Sequence, residues 1–254
     1  TEKTQEEILR AIDAECEKVE GEKLEVFLQK IAKKRWGLKD PKLTYCLPCL
    51  GKRFPDAKTI IIVRDGRAVA NSNMKNKWGI ATNAYCAAKL WKKEITIQKD
   101  FYRSNKKNCY LVKYEELVES PERELKNICA FLGEDYSETM LYYYKESSYV
   151  VMSKLTENTF REPDKDILHK WKKEMSSYGI DIFESVASDV LLENGYELIG
   201  KRRKIYAPFK CLFYLHQKFY GEAQIQYRLK SKVLKKKLSQ FLLRGREEKT
   251  SARR

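Results

Sequence analysis

Two side chains at positions 64 and 72 have the types and spacing to hold a phosphate. The run Ile60-Ile-Ile-Val-Arg-Asp-Gly-Arg-Ala-Val-Ala-Asn-Ser72 ends a β-branched segment in an arginine and offers a serine eight residues later. Arg64 brings a planar guanidinium that stays charged and can grip an anion through two parallel hydrogen bonds. Ser72 adds a short neutral donor. An Arg-Asp-Gly-Arg turn taken alone also reads as a surface salt-bridge cluster. Asp65 and Arg67 are assigned to pairing at the turn, not to a ligand.

These side chains need a strand, a turn and a helix to position them. Four consecutive β-branched residues, Thr59 to Ile62, lead into Val63, and residues 58 to 63 are too few for a helix. The run suits a strand buried on both faces of a parallel sheet. Arg64 then lies at the carboxyl end of that strand, where open α/β sheets bind ligands. A helix from about residue 67 to 75 follows, placing Ser72 about two turns in. Residues 81 to 104 form a long amphipathic helix through Leu90, Trp91 and Ile95, and residues 109 to 113 a second strand. Ser120 as N-cap and Pro121 at the first position start another helix, which Gly133 closes. Two helices are expected within residues 4 to 35, separated by Gly21, and a helical segment runs from Pro41 to about Phe54. Residues 147 to 166 read as a long polar loop of the functional kind, and helices follow near 167 to 176 and 181 to 194. Strands alternating with helices imply an α/β fold with a parallel sheet.

Ordered motifs carry a resemblance. Trp36-Gly-Leu-Lys-Asp-Pro-Lys42, Arg53-Phe-Pro-Asp-Ala-Lys58 and the run from Ile60 to Ser72 resemble the sulfotransferases that use 3′-phosphoadenosine-5′-phosphosulfate (PAPS), above all the protein-tyrosine branch. Leu111-Val-Lys-Tyr-Glu-Glu-Leu117, Ser120-Pro-Glu-Arg with Phe131-Leu-Gly133, Ser153-Lys154, and Lys170-Trp-Lys172 with Gly195-Tyr196 follow in the family's order, so the resemblance covers roughly residues 30 to 197. It implies a P-loop-type layered α/β fold with a central parallel sheet flanked by helices. It also implies that Arg64 and Ser72 hold the donor's 3′-phosphate and that Tyr114 lies near the adenine. Ser153, Lys154 and Arg161 would close over the donor, and Lys39 and Ser153 would stabilise the transition state. The acceptor would be a hydroxyl of a protein, glycan or lipid, the product adenosine 3′,5′-bisphosphate (PAP), and no metal is called for. Sulfuryl transfer, like phosphoryl transfer, leaves little covalent work to the protein, so a lysine ammonium facing the leaving oxygen meets the charge that develops there. Read without the family, Lys39 is a solvated lysine ahead of a helix, Tyr114 a core residue, Ser153 a turn cap and Trp171 a packing residue.

The sequence departs from the family pattern in places. No Gly-Thr pair and no Gly-x-x-x-x-Gly-Lys-Ser/Thr run occurs, so the loop that cradles the 5′-phosphosulfate on backbone N–H groups is unmatched. The expectation is that the N-terminal strand and phosphate loop are absent, and that residues 1 to 200 are an N-terminally incomplete domain, inactive as given. No general base can be named. Asn76 stands where the branch has a basic residue, and Leu38 and Phe101 stand where it has disulfide cysteines. The unmatched cysteines point to a reducing, cytoplasmic setting; the alternative is a Golgi lumen with the targeting segment missing.

Composition bounds the rest. The 254 residues are 43% hydrophobic and 34% charged, the make-up of a globular protein. The net charge of +15 is concentrated at one end: residues 201 to 254 hold 17 basic and three acidic side chains, leaving residues 1 to 200 near neutrality at +1. No apolar run approaches a bilayer span. Cys46 and Cys49 are the only close cysteine pair, His169 and His216 the only histidines, and no second ligand pair supports a metal. The segment 201 to 254 reads as a basic helical tail, with Phe209, Leu212, Phe213 and Phe219 on one apolar face and Ile225, Leu229, Val233 and Leu238 on another. A membrane surface is one partner for such a helix; the other reading is a helix packed on the body with a solvated basic face. Nucleic acid is disfavoured, since no base-reading motif is present. The rival to an enzyme is a non-catalytic binding module that acts on membranes or nucleic acid through this tail.

Overall fold

The computed structural model describes Gly37, Lys39, residues 43–76, 80–146, Glu162 and 164–251, with backbone alone at 146 and 232–251. The helices expected within 4 to 35, most of the 147 to 166 loop, and Ser153, Lys154 and Arg161 lie outside the described residues. The chain divides into two compact units, one of residues 1–63 and 93–146, the other of residues 64–92 and 147–254.

The first unit holds a parallel strand pair, β1 (Thr59–Val63) and β2 (Cys109–Lys113), in register from Thr59 opposite Cys109 to Val63 opposite Lys113. The α/β class with parallel strands is therefore as expected. The strand is not buried on both faces, however: Ile61 and Val63 are buried, whereas Ile62 is 51% exposed and Ile60 lies open beside it. Its β-branched run reflects strand propensity, while burial follows the alternation of one face in and one face out. Around the pair lie α1 (Leu43–Arg53), α4 (Tyr114–Glu119), α5 (Pro121–Leu132), α6 (Tyr143–Glu146) and the second half of α3 (Ala84–Ser104). Pro121 opens α5 and Gly133, at φ 74°, closes it in the left-handed conformation that glycine adopts without strain. Ser120 occupies the N-cap position but makes no capping bond with its side chain. Lys58 Nζ donates to the carbonyl of Leu132 at 2.9 Å, tying the entry of β1 to the end of α5.

The second unit is helical: α2 (Gly66–Asn76), the first half of α3, α7 (Lys170–Glu174), α8 (Ser177–Glu193) and α9 (Ala207–Ser251). Its core joins Ala68, Ala70, Ala88, Trp91, Trp171, Ile182, Phe183, Ala187 and Leu191. Gly66 is required by close approach, because a Cβ there would land in the Trp91 ring and against Phe183. The α8 helix begins four residues earlier than expected, where the Ser176 hydroxyl accepts the Gly179 N–H at 3.1 Å. The tail is one continuous 45-residue helix. Phe213 does not share the exposure of Phe209, Leu212 and Phe219: it stacks on Tyr85 at 5.3 Å between ring centroids, while the other three are exposed.

Candidate functional site

Arg64 follows directly on the last residue of β1 and immediately precedes the turn into α2. Its backbone is anchored by the Trp91 indole N–H, which donates to the Arg64 carbonyl at 3.1 Å. Its half-buried guanidinium donates through Nη2 to the Ile167 carbonyl at 3.4 Å. That bond is long and made to a neutral acceptor, and is weaker than the charge-assisted bonds an anion offers. Ser72 is exposed on α2, six residues past the helix's first residue and so about 9 Å along its axis.

The two charged residues that follow Arg64, Asp65 and Arg67, are committed to structural bonds. The Asp65 carboxylate accepts the Arg67 backbone N–H at 2.8 Å and so caps the first turn of α2. A helix start that already faces its own carboxylate is no cradle for a second anion. The Arg67 side chain grips the same carboxylate with Nε at 3.0 Å and Nη2 at 2.8 Å. Its Nη1 donates to Glu184 at 2.5 Å and to the Glu197 carbonyl at 2.8 Å. The guanidinium also lies 4.1 Å over the Trp171 ring. Burial by itself lowers the Arg67 pKa, but the bonds and charges of Asp65 and Glu184 outweigh it, and the pKa rises above its ordinary value. The turn is thus not a surface cluster, because Asp65, Arg67 and Glu184 are all buried. The structural pairing assigned to Asp65 and Arg67 is what the fold displays, and Trp171 packs as its aromatic floor. Glu184 and Trp171 complete the arrangement from α8 and α7. The packing role of Trp171 was legible in the sequence, whereas nothing at Glu184's own position apart from its apolar surroundings signals its role.

The neighbours of Ser72 on α2 are also engaged. Asn71 Nδ2 donates to Glu174 at 2.5 Å, and Lys75 pairs with the same carboxylate at 2.7 Å. The Lys75 bond above all, then Asn71, holds the Glu174 carboxyl below the usual range. A cavity of about 360 Å³ in this unit is lined by Asn71, Met74, Lys75, Glu174, Ser176 and Phe213 among others; neither Arg64 nor Ser72 lines it.

Two further expected site residues belong to the first unit. Lys39 is exposed and irregular, ahead of α1. Tyr114 is the first residue of α4, directly after β2, and is half-buried. Burial raises the phenol of nearby Tyr143, with Tyr114 and Tyr144 adding to the shift. Among the described residues no group of three or more His, Cys, Asp or Glu could hold a metal ion. Arg64 and Ser72, a planar cation and a hydroxyl on one strand-turn-helix, are of the donor types that suit a phosphate.

Comparison with known proteins gives these features a context. A sequence profile of the sulfotransferase family matches residues 2–138. The chain is 30% identical over 169 residues to protein-tyrosine sulfotransferase A of Caenorhabditis elegans, covering 63% of this chain and 44% of that protein. It is 32% identical over 145 residues to protein-tyrosine sulfotransferase 2 of Gallus gallus, covering 52% and 39%. The chain therefore spans less than half the length of these relatives. Among solved structures, the sulfotransferase domain from the curacin biosynthetic pathway superposes with a TM-score of 0.57 at 20% identity, covering 69% of this chain and 68% of that one. The sulfotransferase domain of the Synechococcus PCC 7002 olefin synthase gives 0.51 at 24% identity, covering 69% and 64%. These two likenesses concern the fold alone. With more than half of its length matched by the family profile, the chain belongs to the sulfotransferase family.

Proposed function

We propose that the protein transfers a sulfuryl group from PAPS to the hydroxyl of an acceptor. Arg64 and Ser72 would hold the donor's 3′-phosphate. The observation that carries this reading is the anchored Arg64 between β1 and α2, in a chain of this family, with an exposed Ser72 two turns further on. The donor supplies the activated sulfuryl group. The chain supplies position and charge. Arg64 offers a dianion the charge-assisted bonds of a planar guanidinium, and Ser72 adds a neutral donor. Lys39, exposed ahead of α1, is the residue proposed to meet the charge that grows on the leaving oxygen. Tyr114 is proposed to lie beside the adenine. The likeness to protein-tyrosine sulfotransferases supports a protein hydroxyl as the first acceptor to test, ahead of glycan or lipid.

The test is calorimetric titration of PAP into the full-length gene product. Charge-assisted hydrogen bonds contribute roughly 1.5–3 kcal/mol each, so Arg64→Ala should weaken binding about tenfold to a few hundredfold. Unchanged affinity would overturn the assignment.

A further inference from the structure

The outer face of α9 has no part in the sulfotransferase reading, yet it is the most exposed apolar surface of the second unit. One side of the helix is docked. Phe213 stacks on Tyr85, Gln217 accepts the Thr82 N–H at 2.8 Å, Gly221 is buried, and Arg228 Nη2 donates to the Asn76 carbonyl at 2.7 Å. These positions recur every four residues or so and form one stripe. Leu212, Leu215 and Phe219, with Pro208 before them, share the same spacing on the opposite side. Leu212 is 61% exposed and Phe219 68% exposed, and Phe209, Tyr220 and Tyr227 are also open.

This apolar stripe runs through a strongly basic element. Residues 207–251 contain eleven Lys or Arg and three Glu, a net charge of +8. Exposed Lys201, Arg202 and Lys204 stand at the foot of the helix, and Lys210, Lys218 and Lys230 stand out along it. Lys204 lies 5.5 Å over the Tyr206 ring, an aromatic and a cation side by side at the helix entry. Among the described residues no helix is long and apolar enough to cross a membrane.

We propose that α9 lies in the plane of an anionic lipid surface, with Leu212, Leu215 and Phe219 inserted among the acyl chains and the lysines at the headgroups. Aliphatic and aromatic side chains on one face, amphipathic tyrosines at the margin and lysines that reach past them are what a headgroup boundary accommodates. Anionic lipid supplies the complementary charge. A second copy of the chain would bring two helices of +8 together and repel. Nucleic acid would answer the charge, but would leave Leu212 and Leu215 in water.

The experiment is co-sedimentation of the full chain with vesicles of one third phosphatidylserine and two thirds phosphatidylcholine. The wild type should pellet with these vesicles, fail to pellet with phosphatidylcholine alone, and be released by high salt. Leu212→Asp with Phe219→Asp should lower the bound fraction more than about tenfold without changing the helical circular dichroism, because both side chains are exposed. Lys210→Glu with Lys218→Glu tests the charge separately and should also weaken binding. The proposal is overturned if the wild type ignores the anionic vesicles, if both paired variants bind as it does, or if the chain binds single-stranded RNA or dimerises without binding vesicles.

Discussion

Two regions of the second unit invert the usual rule of apolar inside and charged outside. At the turn into α2, Asp65, Arg67 and Glu184 are buried, and Glu184 is 0% exposed. They survive there because each charge has a partner: Arg67 meets two carboxylates, a carbonyl and an aromatic face, while Glu184 also accepts N–H bonds from Ile199 and Gly200 at 3.2 and 2.8 Å. On the outer side of α9, Leu212, Leu215 and Phe219 are exposed among the described residues. Buried charge with complete pairing marks structure. Exposed apolar surface beside charge largely of one sign marks a surface meant for something else. Arg64 stands between these extremes, with an anchored backbone and a half-buried head.

The contrast can be broken most directly at Arg67. Removing it leaves two carboxylates buried without their cation, so Arg67→Ala should cost about 3–5 kcal/mol in chemical denaturation. A loss below about 1 kcal/mol would mean the cluster is solvated after all. Next is Arg64→Ala, three residues away, which should lower PAP affinity by about tenfold or more while leaving the melting temperature nearly unchanged. If both arginines behaved alike, the division between structural and ligand-facing cations would fail. Gly66→Ala should destabilise by about 1–3 kcal/mol, because the new methyl must displace the Trp91 and Phe183 rings.

Smaller effects sharpen the same picture. The Arg203 bond above all, then the Lys201 N–H, holds the Asp181 carboxyl below its usual range. An acid whose folded pKa is depressed contributes stability above its unfolded pKa, and that contribution is lost as pH falls through the folded value. Thermal melts at neutral pH and at about pH 3 should therefore show a smaller acid loss for Asp181→Asn than for the wild type. Leu212→Asp should change stability by no more than about 0.5 kcal/mol, since that side chain is mostly exposed. A large loss would show that the outer face of α9 contributes to the fold.

Much of the local architecture could be read from the residues. Strand β2 lies where the sequence expectation puts it, and β1 differs only at its first residue. Pro121 and Gly133 bound α5 because one cannot continue a helix backwards and the other alone tolerates the closing conformation. The burial of β1 was misread because a β-branched run reports backbone preference, whereas the cover on each face comes from elements distant in sequence. Which side of α9 is docked was also not legible, since Phe213 and Phe219 are the same residue type on one helix and only the first meets Tyr85. At the candidate site, the pairing of Asp65 with Arg67 is local and was legible; its completion by Glu184, 117 positions away, was not.

By itself the sequence determined where the chain turns, which segments are strand or helix, that an arginine precedes the α2 turn, and that charge gathers at one end. Those properties arise from neighbours within a few residues. Only the tertiary structure decided which arginine is buried against two carboxylates, which is left half-open, and which side of a uniformly apolar and basic helix faces solvent. Burial and pairing are set by contacts between distant segments, and identical side chains take opposite roles according to what the fold places over them.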